Sequence, residues 1–241
     1  ILAEEKYKAR GCIAEVGMDE IEIPIILDSE KGPHFQIAKA RATVSLDKTQ
    51  AKGIHMSRIY NELQSSLNQK TLSTKLLRTT LENFLETHIG LSKKAKLELN
   101  YKIALEKKSL ISANKGWREY PVKHTVSLTD KNFEEWLETK ILYSSSCPCS
   151  TALARQINAE AFKKEFQKND SSDLIEIEKV ATWLESEKGL AAIPHSQRSV
   201  ATLTYKPLKE TDTSKLILAF ENTLKTPVQA LVKREDEQEF A

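Results

Sequence analysis

Cys147 and Cys149 stand on either side of a single proline, and this spacing is where the chain first points to chemistry. Proline fixes φ and removes a backbone donor, so the two thiols lie close together on a rigid turn. A disulfide between them would be badly strained. That leaves metal ligation or thiol chemistry, against the plainer reading of two small buried residues at a strand end. Zn²⁺ and similar ions take Cys, His and carboxylate ligands, and a catalytic site keeps one position open for water. His195, in Pro194-His195-Ser196-Gln197-Arg198-Ser199, is the natural partner, although a His beside a Pro at a loop end is more often a surface or capping residue. Glu221 follows the apolar run Leu216-Ile217-Leu218-Ala219-Phe220, where a carboxylate is costly unless paired or metal-bound. The bland alternative is a helix-edge Glu facing solvent. Gly53-Ile54-His55-Met56-Ser57-Arg58 precedes a helical stretch, and its N–H groups, with Ser57 as cap and Arg58 beside it, would suit a phosphate. An ordinary capped helix with His55 packed against a sheet accounts for it equally well. Lys233-Arg234-Glu235-Asp236-Glu237 has the mixed charge of a solvated helix face, and Cys12 reads as a small buried residue.

The elements that must position these residues follow from periodicity. Ile21, Ile23 and Ile25 alternate with polar residues. After a turn at Lys31-Gly32-Pro33, so do Ala38, Ala40, Ala42, Val44 and Leu46, the period of half-buried antiparallel strands. A helix starting near Ser57 carries Ile59, Leu63 and Leu67 on one stripe. A second, N-capped by Ser73, carries Leu77, Leu81, Phe84, Leu85 and His88 and ends at Gly90. Strand patterning returns at Leu97, Leu99, Tyr101, Ile103 and Leu105 and again over 121–128. The plan of two strands, two helices and two strands then begins anew. Thr139–Tyr143 reads as a strand entering the Cys-Pro-Cys segment, and Ser199–Tyr205 reads as its partner. Between them lies a helical insertion at about 151–190, and further helices follow around Leu216–Leu224 and after Pro227. The expected organisation is α+β, with a first module over 1–130 and a second over 131–241. The closing strands of the second module are absent from the sequence, and both ends look cut.

With 40% apolar and 29% charged residues the composition is that of a globular protein, not a disordered one. A formal net charge of +2 gives no polycation signal for nucleic acid. No apolar run approaches the roughly 20 residues of a membrane helix. Three cysteines do not form a disulfide framework, and nothing at the start resembles a signal peptide, so a reducing, cytoplasmic setting is expected.

Four segments occur in an order that resembles the GTP cyclohydrolase IB family: Lys52-Gly53-Ile54-His55-Met56-Ser57-Arg58, Cys147-Pro148-Cys149-Ser150, Pro194-His195-Ser196-Gln197-Arg198-Ser199, and Thr226-Pro227-Val228-Gln229 with Lys233-Arg234-Glu235-Asp236-Glu237-Gln238. The resemblance implies a tunnelling fold, with tandem modules of antiparallel sheet backed by two helices. It also implies a homotetramer with active sites at interfaces, and hydrolysis of GTP to 7,8-dihydroneopterin triphosphate and formate on the way to folate and queuosine. It implies a divalent metal (Zn, Mn or Fe) on Cys147, His195 and Glu221, with Cys149 a neighbouring thiol or further ligand and His195 moving protons. It makes Glu237, or alternatively Glu235, the acid that anchors the guanine edge, because a carboxylate accepts two parallel hydrogen bonds. Arg58, Arg198 and His55 become candidates for substrate contacts. Further metal-facing residues of the family would fall beyond the end of this sequence. The rivals are another tunnelling-fold enzyme, such as a queuosine-pathway reductase, and a structural zinc-binding assembly protein.

Overall fold

Alternating apolar residues need one covered face, and two helices supply the cover. The computed structural model describes residues 11–28, 32–109, 111–130, 132–167, 175–207, 212–224, 235, 236 and 238. The strands are β1 (Ile13–Leu27), β2 (His34–Leu46), β3 (Lys70–Thr71), β4 (Lys94–Lys108), β5 (Lys115–Thr129), β6 (Asn132–Ser146) and β7 (Ser196–Tyr205). They form a seven-stranded sheet in the order β3-β1-β2-β4-β5-β6-β7. The pairings from β1 through β6 are antiparallel, and β3 lies parallel to β1.

Helices α1 (Met56–Leu67) and α2 (Thr74–Thr87) cover one face. α1 packs over β1 and α2 over β4 and β5, so β2 runs beneath the seam between them. This explains the alanines: Ala38, Ala40 and Ala42 are fully buried and leave room for Ile59, Leu63 and Leu67 of α1 and Leu77, Leu81 and Phe84 of α2. Each large side chain so buried contributes about 1.5–3 kcal/mol. The fold is therefore an α+β scaffold of the kind expected, and its first half runs two strands, two helices with the two-residue β3 between them, and two strands.

Several boundaries differ from the expectation. α1 begins at Met56 with His55 as an extended N-cap that makes no side-chain cap bond, so Ser57 lies inside the first turn and caps nothing. Ser73 does cap α2, its Oγ accepting from Leu76 N at 3.2 Å. β6 begins at Asn132 rather than Thr139. Asp130, at φ 53°, turns the chain tightly, and Asn132–Thr139 pairs with Val122–Thr129 of β5. The acidic pair Glu134-Glu135 hides this strand from an apolar pattern. Glu135 is satisfied on the sheet by His124 Nε2 at 2.7 Å and by Thr74 Oγ1 at 2.9 Å.

The chain forms two compact units that are not divided at residue 130. One comprises Ile1–Ile141, Ala201–Lys225 and Gln229–Ala241, and the other Leu142–Val200 with Thr226–Val228. The second holds the helical insertion as α3 (Pro148–Phe166) and α4 (Ile177–Glu185). Phe162, Phe166 and Trp183 cluster with ring centroids 4.8–5.8 Å apart. The amide of Asn158 makes paired hydrogen bonds to the backbone of Ala192, at 2.9 and 3.0 Å.

Gly17 of β1 lies between two irregularities of its register with β2, and a Cβ there would lie 2.0 Å from the carbonyl oxygen of Ala42. Gly17→Ala is expected to lower the urea unfolding midpoint by the equivalent of about 1–3 kcal/mol, the cost of overpacking a fixed backbone. An unchanged midpoint would show that the strands separate freely there.

Candidate active site

The Cys-Pro-Cys segment is a helix cap. Cys147 is the N-cap of α3 and Pro148 occupies its first turn, where the missing N–H costs nothing. The Cys147 carbonyl accepts from Thr151 N at 3.0 Å and Thr151 Oγ1 at 2.9 Å, which pins the cap. The backbone N–H groups of Ser150 and then Cys149 hold the Cys147 thiol below the ordinary cysteine range. This is the usual effect of a helix N-terminus on a thiolate. Cys147 is half-buried, whereas Cys149 is exposed. Cys12 is exposed too, not buried as expected, with its Sγ 3.5 Å from the Asp47 carbonyl.

β6 and β7 are neighbours in the sheet, and Ser145 Oγ lies 2.7 Å from Ser199 Oγ. Lys206, further along the chain, stands over the ring of Trp136 at 4.5 Å, so the two strands run antiparallel. Cys147, just past β6, and His195, just before β7, therefore lie at the same end of the pair. His195 is exposed, its Nε2 3.4 Å from Gln197 Nε2, and Arg198 is exposed on β7.

Glu221 is buried and paired, not a helix-edge residue facing solvent. It lies on α5 (Thr213–Leu224) and is only 1% exposed. Lys107 Nζ donates to its Oε2 and the Tyr120 hydroxyl to its Oε1. Burial, and then the bond to Glu221, push the Tyr120 phenol well above its ordinary range, so it remains a donor. Both oxygens of Glu221 are thus occupied by the scaffold. Cys147, Cys149 and His195 have the donor types of a Zn- or Mn-like site. Yet among the described residues no three His, Cys, Asp or Glu side chains are gathered as a metal requires.

The Gly53–Arg58 segment joins two helices. Arg58 donates through one terminal nitrogen to the Thr87 carbonyl at the end of α2, at 2.6 Å. Buried His88 places Nδ1 2.9 Å from the Phe84 carbonyl and Nε2 3.3 Å from that of His55. In the acidic motif Glu235 is exposed, while Asp236 is fully buried. Glu237, Lys233-Arg234 and Thr226–Gln229 lie outside the described residues. Asp236 and the His124–Glu135–Thr74 cluster escaped sequence reading, because a charged residue in a polar run carries no burial signal.

Two outcomes follow. The pH dependence of iodoacetamide alkylation at Cys147 should have its midpoint below the ordinary cysteine range. Lowering the pH through that midpoint protonates the thiolate and slows the reaction; a midpoint at or above the ordinary range would contradict the cap effect. Lys107→Met should destabilise the protein by about 3–5 kcal/mol in urea unfolding, because it leaves the Glu221 carboxylate buried without its cation. A loss below about 1 kcal/mol would place the pair in the range of exposed ion pairs.

Comparison with known proteins gives a consistent picture. The family described as type I GTP cyclohydrolase folE2 matches residues 2–241. The GTP cyclohydrolase FolE2 of Pseudoalteromonas translucida (strain TAC 125) is 42% identical over 235 residues, covering 96% of this chain and 76% of that protein. The GTP cyclohydrolase FolE2 of Hydrogenovibrio crunogenus is 39% identical over 243 residues, covering 100% of this chain and 77% of the relative. That of Bdellovibrio bacteriovorus is 40% identical over 241 residues, covering 100% and 78%. Among solved structures, uricase from Arthrobacter globiformis aligns with a TM-score of 0.45 at 7% identity, over 91% of this chain and 69% of that one. Matched from end to end by its profile and by relatives near 40% identity, the chain belongs to the type I GTP cyclohydrolase FolE2 family.

Proposed function

We propose that the chain is a GTP cyclohydrolase of the IB kind, opening the guanine imidazole ring of GTP with water to give 7,8-dihydroneopterin triphosphate and formate. Membership of the FolE2 family supports the activity. The observation that carries the site is the Cys147 thiol, capping α3 with its proton affinity lowered, at the end of the strand pair that also bears His195.

The residues divide the work by their chemistry. Cys147, its proton affinity lowered by the first amides of α3, presents its sulfur at the reacting edge. His195, exposed on the same end, is free to turn toward a bound base and transfer a proton during ring opening. Glu237, or Glu235 in its place, accepts the paired N–H groups of the guanine edge and fixes the register of carbon 8. Arg198 and the remaining donors of Arg58 suit the triphosphate, and His55 lies beside Arg58. A divalent Zn, Mn or Fe ion held by Cys147 and His195, with Cys149 as a further donor, would supply an activated water at neutral pH. Its remaining ligands would come from outside the described residues. Glu221 serves poorly as one while Lys107 and Tyr120 hold it.

Assembly into a homotetramer, cytoplasmic location and service to folate or queuosine synthesis belong to the same reading. No helix among the described residues is long and apolar enough to cross a membrane.

The test is turnover of GTP in buffers supplemented with Mn²⁺ or Zn²⁺, read by fluorescence of the oxidised pterin. Cys147→Ala should lower kcat/KM by about a thousandfold or more, and Glu237→Gln should act mainly on KM. Activity untouched by Cys147→Ala would overturn the assignment.

A further inference from the structure

The acidic motif near the C-terminus contains one residue that cannot face a substrate. Asp236 is fully buried. Its Oδ1 accepts from the backbone N–H of Ile111 at 2.8 Å and of Ser112 at 3.0 Å, and its Oδ2 accepts from Ser112 Oγ at 2.7 Å. Ser112 Oγ in turn accepts from the Asn114 side chain at 2.9 Å. A carboxylate taking three hydrogen bonds inside the turn that closes β4 and β5 is a built socket, because each bond to a charged acceptor is worth more than a neutral one. The same hairpin also receives Glu221, through Lys107 on β4 and Tyr120 on β5. Two buried carboxylates from the last part of the chain thus fasten onto one hairpin, on either side of the residues 225–234.

We propose that Asp236 is a positioning residue for substrate: its socket at Ile111 and Ser112 fixes the acidic motif so that the adjacent base-anchoring acid meets the guanine edge. This rests on the reading of Glu237 or Glu235 as that acid. Asp236 itself touches no substrate. It acts through its neighbour: with Asp236 held in its socket, the adjoining Glu235 is exposed. The β4–β5 turn, remote in sequence from every motif of the family, thereby becomes part of substrate recognition.

The experiment compares Asp236→Ala, Asp236→Asn and Ser112→Ala in the intact protein, with KM and kcat for GTP measured alongside hydrogen exchange at the Ile111 and Ser112 amides. Asp236→Ala should speed exchange at both amides. It should raise KM by about tenfold while kcat changes by no more than about threefold, since a displaced anchor is lost to ground state and transition state alike. Asp236→Asn keeps one oxygen for the two backbone donors and should fall between Asp236→Ala and the parent. Ser112→Ala, which removes the Oγ bonds to Asp236 and Asn114 but leaves both backbone bonds to the carboxylate, should raise KM by about twofold to threefold. If Asp236→Ala fails to fold, the two milder variants carry the test. Faster amide exchange with an unchanged KM would overturn the proposal, as would a loss confined to kcat. A parent protein inert toward GTP would instead sink the cyclohydrolase reading, and this proposal with it.

Discussion

A sheet with one face buried must place every second residue against something apolar, and the rest of this structure answers to that constraint. α1 and α2 meet it over the first half, and the alanines of β2 exist because two helices share a seam above them. Once Ile23, Ile25, Leu97 and Leu99 are committed to that face, the register of β1 through β5 is fixed, since a one-residue slip would turn each of them to solvent. Polar residues on the covered face must then be satisfied internally. His124, Glu135 and Thr74 are joined for this reason, and so is Glu221 with Lys107 and Tyr120.

The same economy places the chemistry. β6 and β7 extend the sheet beyond the first helical layer, and the chain leaves β6 directly into α3. The thiol of Cys147 therefore stands where a strand end and a helix N-terminus coincide, with amide hydrogens to favour its anion. In the middle of a strand that cysteine would have only neighbouring side chains to tune it. His195 is brought to the same end by strand pairing alone, across an insertion that folds around its own aromatic cluster.

Periodicity made the scaffold legible wherever one physical demand dominated. Ile21 to Leu46, the stripes of α1 and α2, and the Ser73 cap all follow from burial and orphan N–H groups, which depend only on local sequence. The Cys-Pro-Cys segment was legible as a rigid turn, because proline fixes φ and is accepted in a helix's first turn. What stayed hidden depends on partners distant in the chain. Nothing near Glu221 reveals Lys107, nothing near Asp236 reveals Ser112, and the first half of β6 was masked by acids whose burial is licensed by His124 and Thr74. Ser57 looked like a cap because its type is right, but the chain enters the helix two residues earlier, at His55.

The proposed reaction takes place at one carbon atom of guanine. The most direct measurement follows that atom. GTP labelled with carbon-13 at position 8 of guanine, incubated with the metal-supplemented protein and no nicotinamide cofactor, should yield labelled formate in step with loss of GTP. Label retained in the purine, or released only when a reductant is added, would contradict the account.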